Sequence, residues 1–453
     1  MVDSLANRIM TGFAAYTRGN RLTEALQTTA VHGGYDQGEH FHAANTPIYA
    51  SAAFDMVNAE RGDALSSGAL PGFSYSRVAN PTVDVLERRL AALEGGASAV
   101  AVASGMAAVS FALLCAAEGG GRIIAPTDLY GASVDAMETF FPNFGVSTDF
   151  VRNINDLAEV EAAITDDTRC IFAESVSNPS IRITDVEALA RLAHRHGIPL
   201  IIDNTVPTPY LFRPIEFGAD IVVHSTTKGI TGHGNAVGGV VIDSGRFDWS
   251  NGRFPQFLDD ELAISDERNN QWRSFVDAFG DEAFINRIRI KYLRTFGAVA
   301  SPFNAYLSLV GLETLPQRLS QQVASAKAIA QRLANTPHVL AVNYPGFGDD
   351  PQTFLSSKYY PNGVGGVLSF LVDGDESNVR RILDGTHIFE YIPNIGDSRS
   401  LIVDPARITH REVPARYRLA AGVTDNLIRL SIGLEDTADL IDDLIHAIGE
   451  VYA

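Results

Sequence analysis

An α/β fold built on a mainly parallel sheet is what this 453-residue chain predicts, and three observations lead there. Short apolar runs recur along the first two thirds of the sequence: RIIAP, TDFVR, CIFAE, IPLIID, IVVHS and GGVVID, with helical patterns such as VEALARLAHRHG between several of them. That alternation is the mark of parallel strands joined by helical crossovers. Apolar residues make up 46% of the chain and charged residues 20%, which supports a sizeable core and is too apolar for a disordered chain. The length exceeds what one hydrophobic core supports, so two unequal domains are expected besides connecting segments.

Residues 1–70 mix Gly, Pro, Asn and His with short apolar runs and show no sustained period. They predict an extended arm with one N-terminal helix, of the kind that reaches a neighbouring subunit. From Asn80 the text becomes regular: PTVDVLERRLAAL predicts a helix with Pro81 in its first turn. Next comes an uncharged stretch, residues 97–117, long enough to span a bilayer. Its parts argue otherwise, because ASAVAVA alternates like a strand, Ser104 and Gly105 break it, and MAAVSFALLCAA resumes at helical spacing. Near residues 295–302 the pattern shifts to long amphipathic helices, including LPQRLSQQVASAKAIAQRLAN. GGVLSFLVD and LIRLSIG then read as strands of a second layer. The expected division is an arm (1–70), a large domain (71–300) and a C-terminal domain (301–453).

A formal charge of -19 argues against nucleic acid or an anionic membrane as partner, since both demand basic surface. The two cysteines, Cys115 and Cys170, lie in apolar runs and support neither a disulfide framework nor a metal site. The N-terminal text MVDSLANRIMTGFAAYTRGN lacks the features of a secretory signal, so a cytoplasmic location is expected.

Among thirty-five basic residues only four are lysines: Lys228, Lys291, Lys327 and Lys358. Three sit in ordinary solvated positions on helices or in a polar loop. Lys228 follows ADIVVHSTT, so it emerges at the carboxyl end of an apolar strand, where open α/β sheets bind ligands. A desolvated amine there holds its proton weakly and is a good nucleophile toward an aldehyde. A lysine snorkelling from a strand end is the equal alternative on this evidence alone. Ser225 and Thr227 tip the balance, because hydroxyls beside that lysine can donate to a phosphate. Ser104, Gly105 and Met106 form a strand-to-helix turn whose free amides also favour an anion. Asp203 ends IPLIID, where it either ties the following turn or pairs a pyridinium nitrogen and keeps that ring an electron sink. Tyr130, in TDLYGAS, either packs or stacks on such a ring. Together these residues point to pyridoxal 5′-phosphate held by Lys228 as a Schiff base.

The strings YSRVANPTVDVLERRLAALEGG, ASGMAA, SNPS, IIDNTVPTPY, VVHSTTKGITGHG and IRLSIGLED resemble the Cys/Met metabolism family of pyridoxal phosphate enzymes, from about residue 29 to the C-terminus. The segment around Lys228 and the later NIGDSRSLI are most similar to its O-acetylhomoserine sulfhydrylase branch. The resemblance implies the aspartate aminotransferase-like fold (fold type I), with a large domain and a smaller α/β C-terminal domain. It implies that Lys228 is anchor and proton carrier, Asp203 meets the ring nitrogen, Tyr130 stacks and assists proton transfer, and Asn178 bonds the phenolic oxygen. Ser104, Gly105, Met106, Ser225 and Thr227 are then expected at the phosphate, with Tyr75 and Arg77 supplied by a neighbouring subunit. A homodimer is the minimum unit so implied, within a homotetramer. Arg429 matches the arginine that grips the substrate carboxylate, with Asn394 and Tyr75 on the substrate side.

The activity implied is γ-replacement on an O-activated homoserine, O-acetyl-L-homoserine, by sulfide, a thiol or another nucleophile, with release of acetate. The alternatives are γ-elimination and cystathionine synthesis. Against elimination, Ala132 stands where the methionine γ-lyase branch carries a cysteine. The sequence departs from the family at Asp404, where histidine is usual, at Arg407, where a small residue is usual, and at Gly229, where a bulky one is usual. These changes are expected to alter charge and space near the active site.

Overall fold

A computed structural model describes residues 25–346 and 350–453. Seven strands form the larger sheet: β1 (Ser98–Val102), β2 (Arg122–Pro126), β3 (Ser147–Val151), β4 (Thr168–Glu174), β5 (Leu200–Asp203), β6 (Ile221–His224) and β7 (Gly239–Asp243). Their order is β1-β7-β6-β5-β4-β2-β3. β3, β2, β4, β5 and β6 run parallel, while β7 is antiparallel to both β6 and β1. The α/β expectation is borne out. The reversal at β7 follows from its connection: residues 225–238 turn back through Gly232 and Gly234, both at positive φ, with no crossover helix to keep the strands parallel.

The helices form where capping and apolar period predict them. α1 (Pro81–Glu94) starts with the Asn80 side chain accepting from the Thr82 amide and stops at Gly95, whose φ of 78° favours glycine. α2 (Gly105–Ala116) starts with the Ser104 hydroxyl accepting from the Ala107 amide. It is nearly all buried, so residues 97–117 are β1, a turn and α2, and among the described residues no helix is long and apolar enough to cross a membrane. α3 (Leu157–Ala163) links β3 to β4, and α4 (Val186–Arg195) links β4 to β5. α5 (Pro302–Glu313) and α6 (Leu315–Leu333) lead into a second sheet of β8 (Val339–Asn343), β9 (Val367–Val372), β10 (Glu390–Tyr391), β11 (Leu401–Val403) and β12 (Leu427–Ser431), ordered β10-β11-β12-β9-β8. α7 (Glu376–Gly385) and α8 (Thr437–Val451) pack on one another beside it.

The N-terminal segment differs from the expected extended arm. Two short helices, Leu26–His32 and Ala59–Ser66, lie in its described part, and residues 1–24 lie outside the described residues. The reason for the folding back is polar. Arg89 on α1 donates to the carbonyls of Gly33 and Ala30, and Thr82 binds Pro47 and Tyr49 backbone groups. Residues 51–77, closed by a bridge between Ala53 and Tyr75, remain largely exposed.

Candidate active site

The carboxyl ends of the central parallel strands and the start of α2 meet at a cavity of about 250 Å³, closed from the other side by Pro393, Asn394, Ile395, Thr409 and Arg429. Of the residues selected from sequence, Ser104, Gly105, Met106, Tyr130, Asn178, Asp203, Ser225, Thr227, Lys228, Asn394 and Arg429 all line it. Parallel strands deliver several of these together, because each ends at the same edge of the sheet.

Lys228 donates from Nζ to Asn394 Oδ1 at 2.6 Å. Burial disfavours its ammonium form and Arg429 repels it, so its pKa is pushed down to about 8. About a tenth of the amine is therefore free at neutral pH, far more than for an ordinary lysine.

At the proposed phosphate end, the backbone of Gly105 touches the strand opposite. A Cβ there would lie 2.5 Å from Ser225 Cβ, so only glycine lets the first turn of α2 come this close. The turn's amides and the Ser225 hydroxyl are the donors such an anion would meet. Ser104 uses its hydroxyl as the cap of α2, at 3.1 Å from the Ala107 amide. Thr227 donates to the Gly238 carbonyl at 3.2 Å and accepts from the Gly238 amide at 3.0 Å.

Also on the cavity wall, Asp203 accepts from the Thr205 amide at 2.9 Å. Burial raises its carboxyl above the usual range, and the hydrogen bonds with Thr205 oppose that rise. A carboxylate in this state gains most from a nearby cation, which suits a protonated ring nitrogen. Arg429 is buried, with Nη2 donating to the Asn394 carbonyl at 2.8 Å and Nη1 to Asn178 Oδ1 at 3.4 Å. Its Nε has no partner, and burial lowers its pKa to about 10. Arg429 lines the cavity, and a guanidinium on its wall is a fitting partner for a carboxylate ligand. These features fit pyridoxal phosphate with an amino acid beside it.

Glu174 was not selected from the sequence. It ends β4 beside Asp203 on β5, accepts from the Tyr130 amide at 2.6 Å through Oε1, and accepts from the Asn178 amide at 3.1 Å through Oε2. Burial and the neighbouring Asp203 hold its carboxyl well above the usual range, and the two amides oppose this. The available signal was its place at the end of CIFAE, matching that of Asp203 at the end of IPLIID.

Tyr75 and Arg77 do not line this chain's cavity. Tyr75 is 46% exposed, and the Arg77 guanidinium lies 5.3 Å from its ring while donating to the Arg294 carbonyl. Two of the three departures also lie elsewhere, which corrects the expectation that they reshape the site. Asp404 is buried, accepts from the Tyr391 hydroxyl at 2.6 Å and lies 3.9 Å from Arg407. Arg407 forms an ion pair with Glu376 on α7. Gly229 stays close to the lysine and borders a separate void of about 10 Å³ with Leu319 and Gln322.

A family model described as Cys/Met metabolism PLP-dependent enzyme matches residues 27–449. The chain is 41% identical to a sulfhydrylase of Gibberella moniliformis, covering 95% of this chain and 99% of that protein. It is 37% identical to O-acetyl-L-homoserine sulfhydrylase of Leptospira meyeri, covering 94% and 97%. A solved Campylobacter jejuni structure described as an O-acetylhomoserine (thiol)-lyase superposes with a TM-score of 0.89 at 37% identity, covering 94% of this chain and 100% of that one. That structure contains N′-pyridoxyl-lysine-5′-monophosphate.

Proposed function

Because the chain belongs to the Cys/Met metabolism family of pyridoxal-phosphate-dependent enzymes, we propose that it catalyses γ-replacement on O-acetyl-L-homoserine, exchanging acetate for sulfide or a small thiol. The observation that carries this reading is the buried Arg429 in the same cavity as Lys228, whose amine gives up its proton more readily than an ordinary lysine. One group is built for an α-carboxylate, the other for the α-proton next to it.

Pyridoxal phosphate, when bound, supplies the electron sink that lets an amino acid lose its α-proton. The protein residues do the rest. Arg429 holds the substrate carboxylate and so fixes which face of the α-carbon meets Lys228. Lys228 Nζ, with a pKa near 8, can take a proton from carbon and give one back within a turnover. Asp203 stabilises positive charge at the ring-nitrogen end. Tyr130 would cover the cofactor face, and Asn178 would bond its phenolic oxygen. Gly105, Met106, Ser225 and the start of α2 receive the phosphate, with Ser104 and Thr227 holding the turn around it. Val109, Val206 and Ile395 keep much of the cavity wall apolar, which limits hydrolysis during the exchange.

Purified protein given O-acetyl-L-homoserine and sulfide is expected to release acetate and form homocysteine. Keto acid and ammonia as the main products would overturn replacement in favour of γ-elimination, and cystathionine from added cysteine would favour a cystathionine synthase. The reading extends to a cytoplasmic homodimer, paired into a tetramer, in which Tyr75 and Arg77 complete the partner's site. Their exposure outside their own chain's cavity supports it. The shift from the seven-stranded to the five-stranded sheet supports a domain boundary near residue 300.

A further inference from the structure

We propose that Glu174 is a positioning residue of this site: its single carboxylate clamps the two loops that carry Tyr130 and Asn178 by accepting one backbone N–H from each. The geometry is specific. Oε1 takes the Tyr130 amide at 2.6 Å, on the loop that follows β2, and Oε2 takes the Asn178 amide at 3.1 Å, on the loop that follows β4 itself. β2 and β4 are neighbours in the sheet, so one strand-end side chain reaches both loops.

Both carboxylate oxygens are occupied by backbone donors, so Glu174 acts through the loops rather than as an acid or base on substrate. A carboxylate beside Asp203 is costly to keep in a buried cavity, and two amide donors are what offset that cost. The loops need such a tie. A second contact holds the Tyr130 loop from the opposite side, where His410 Nε2 donates to the Leu129 carbonyl at 3.2 Å. The backbone of Thr409 meets the same loop: a Cβ on Gly131 would lie 2.2 Å from the Thr409 carbonyl oxygen. Asn178, fixed at its amide by Glu174, in turn accepts from Arg429 through its side chain. The clamp therefore orders both the cover of the cofactor and one partner of the substrate-carboxylate arginine.

The test is read on the protein with pyridoxal phosphate and no substrate, so a wrong substrate assignment leaves it intact. Glu174→Gln keeps the shape but turns an NH2 toward one backbone N–H. Glu174→Asp keeps the charge but lacks the reach to hold both amides. Each is expected to fold, to weaken cofactor binding to the apo-protein by about tenfold, the worth of one lost hydrogen bond to a charged group, and to change the circular dichroism of the bound cofactor. In a Tyr130→Ala background the same substitutions are expected to cost clearly less cofactor affinity, because the side chain that the clamp positions is gone. Unchanged circular dichroism, or losses that add fully with Tyr130→Ala, would overturn the proposal. Should the Gln variant fail to fold, the Asp variant carries both readouts.

Discussion

The proton on Lys228 is the first thing its surroundings control. Burial and Arg429 both disfavour the ammonium, so the amine titrates through about 8 rather than near the ordinary lysine value. Only the free amine attacks an aldehyde. Capture of pyridoxal phosphate by the apo-protein is therefore expected to speed up by about tenfold per pH unit below that point and level off above it. A rate still climbing past pH 10 in stopped-flow absorbance would mean an exposed amine. Lys228→Ala is expected to lose both the visible band of the bound cofactor and turnover. Arg429→Lys should separate the two functions, because a point charge replaces a two-pronged donor while Lys228 itself is kept. We expect a KM for the amino acid raised about 10- to 100-fold, with the cofactor spectrum kept. Asp203 was legible because it ends an apolar strand, and Lys228 because it lies in the polar turn just past one. Glu174 ends an apolar strand too, but its role was not legible, since its partners are backbone amides of two distant loops.

Elements were legible in proportion to their burial. β4 and β7 are almost wholly buried and carry apolar centres, CIFA and VVI, and α2 reads as a helix because Ser104 caps an apolar stretch. β8 was not read: it is a sheet edge, and its Leu340 is 62% exposed, so it lacks the apolar signal of a buried strand. β10 and β11 are too short to carry a period. The start of α2 also carries a testable packing claim. Gly105→Ala places a methyl against Ser225 and must push α2 away from β6, at about 1–3 kcal/mol of strain. The expected result is a lower melting temperature for the apo-protein and at least about tenfold weaker cofactor binding, since the displaced amides are the proposed phosphate donors. Normal affinity by equilibrium dialysis would remove α2 from the cofactor site. The opposite holds for Arg407, which pairs with Glu376 and lies outside the cavity. Arg407→Ala is expected to leave kcat/KM within about twofold and cost at most about 1 kcal/mol, as a partly exposed ion pair does.

Residues from both sheets' halves of the chain line the cavity, and neither Tyr75 nor Arg77 of the same chain is among them. Both residues sit at the base of the exposed segment 51–77, which is anchored to its own subunit by the Ala53–Tyr75 bridge and by Arg77 on the Arg294 carbonyl. Met56 and Val57 are exposed on that segment. A two-fold interface is self-complementary, so each copy would give its segment to the other's cavity. Arg77→Ala and Lys228→Ala homodimers are then each expected to be inactive or nearly so, for different reasons. One lacks a residue donated to the partner's site, the other the residue at the centre of its own. After mixing and subunit exchange, half of the dimers are hybrids, and each hybrid holds one site with both residues intact. Activity should recover to about a quarter of the wild-type level, whereas sites built within one chain would recover nothing at any mixing ratio.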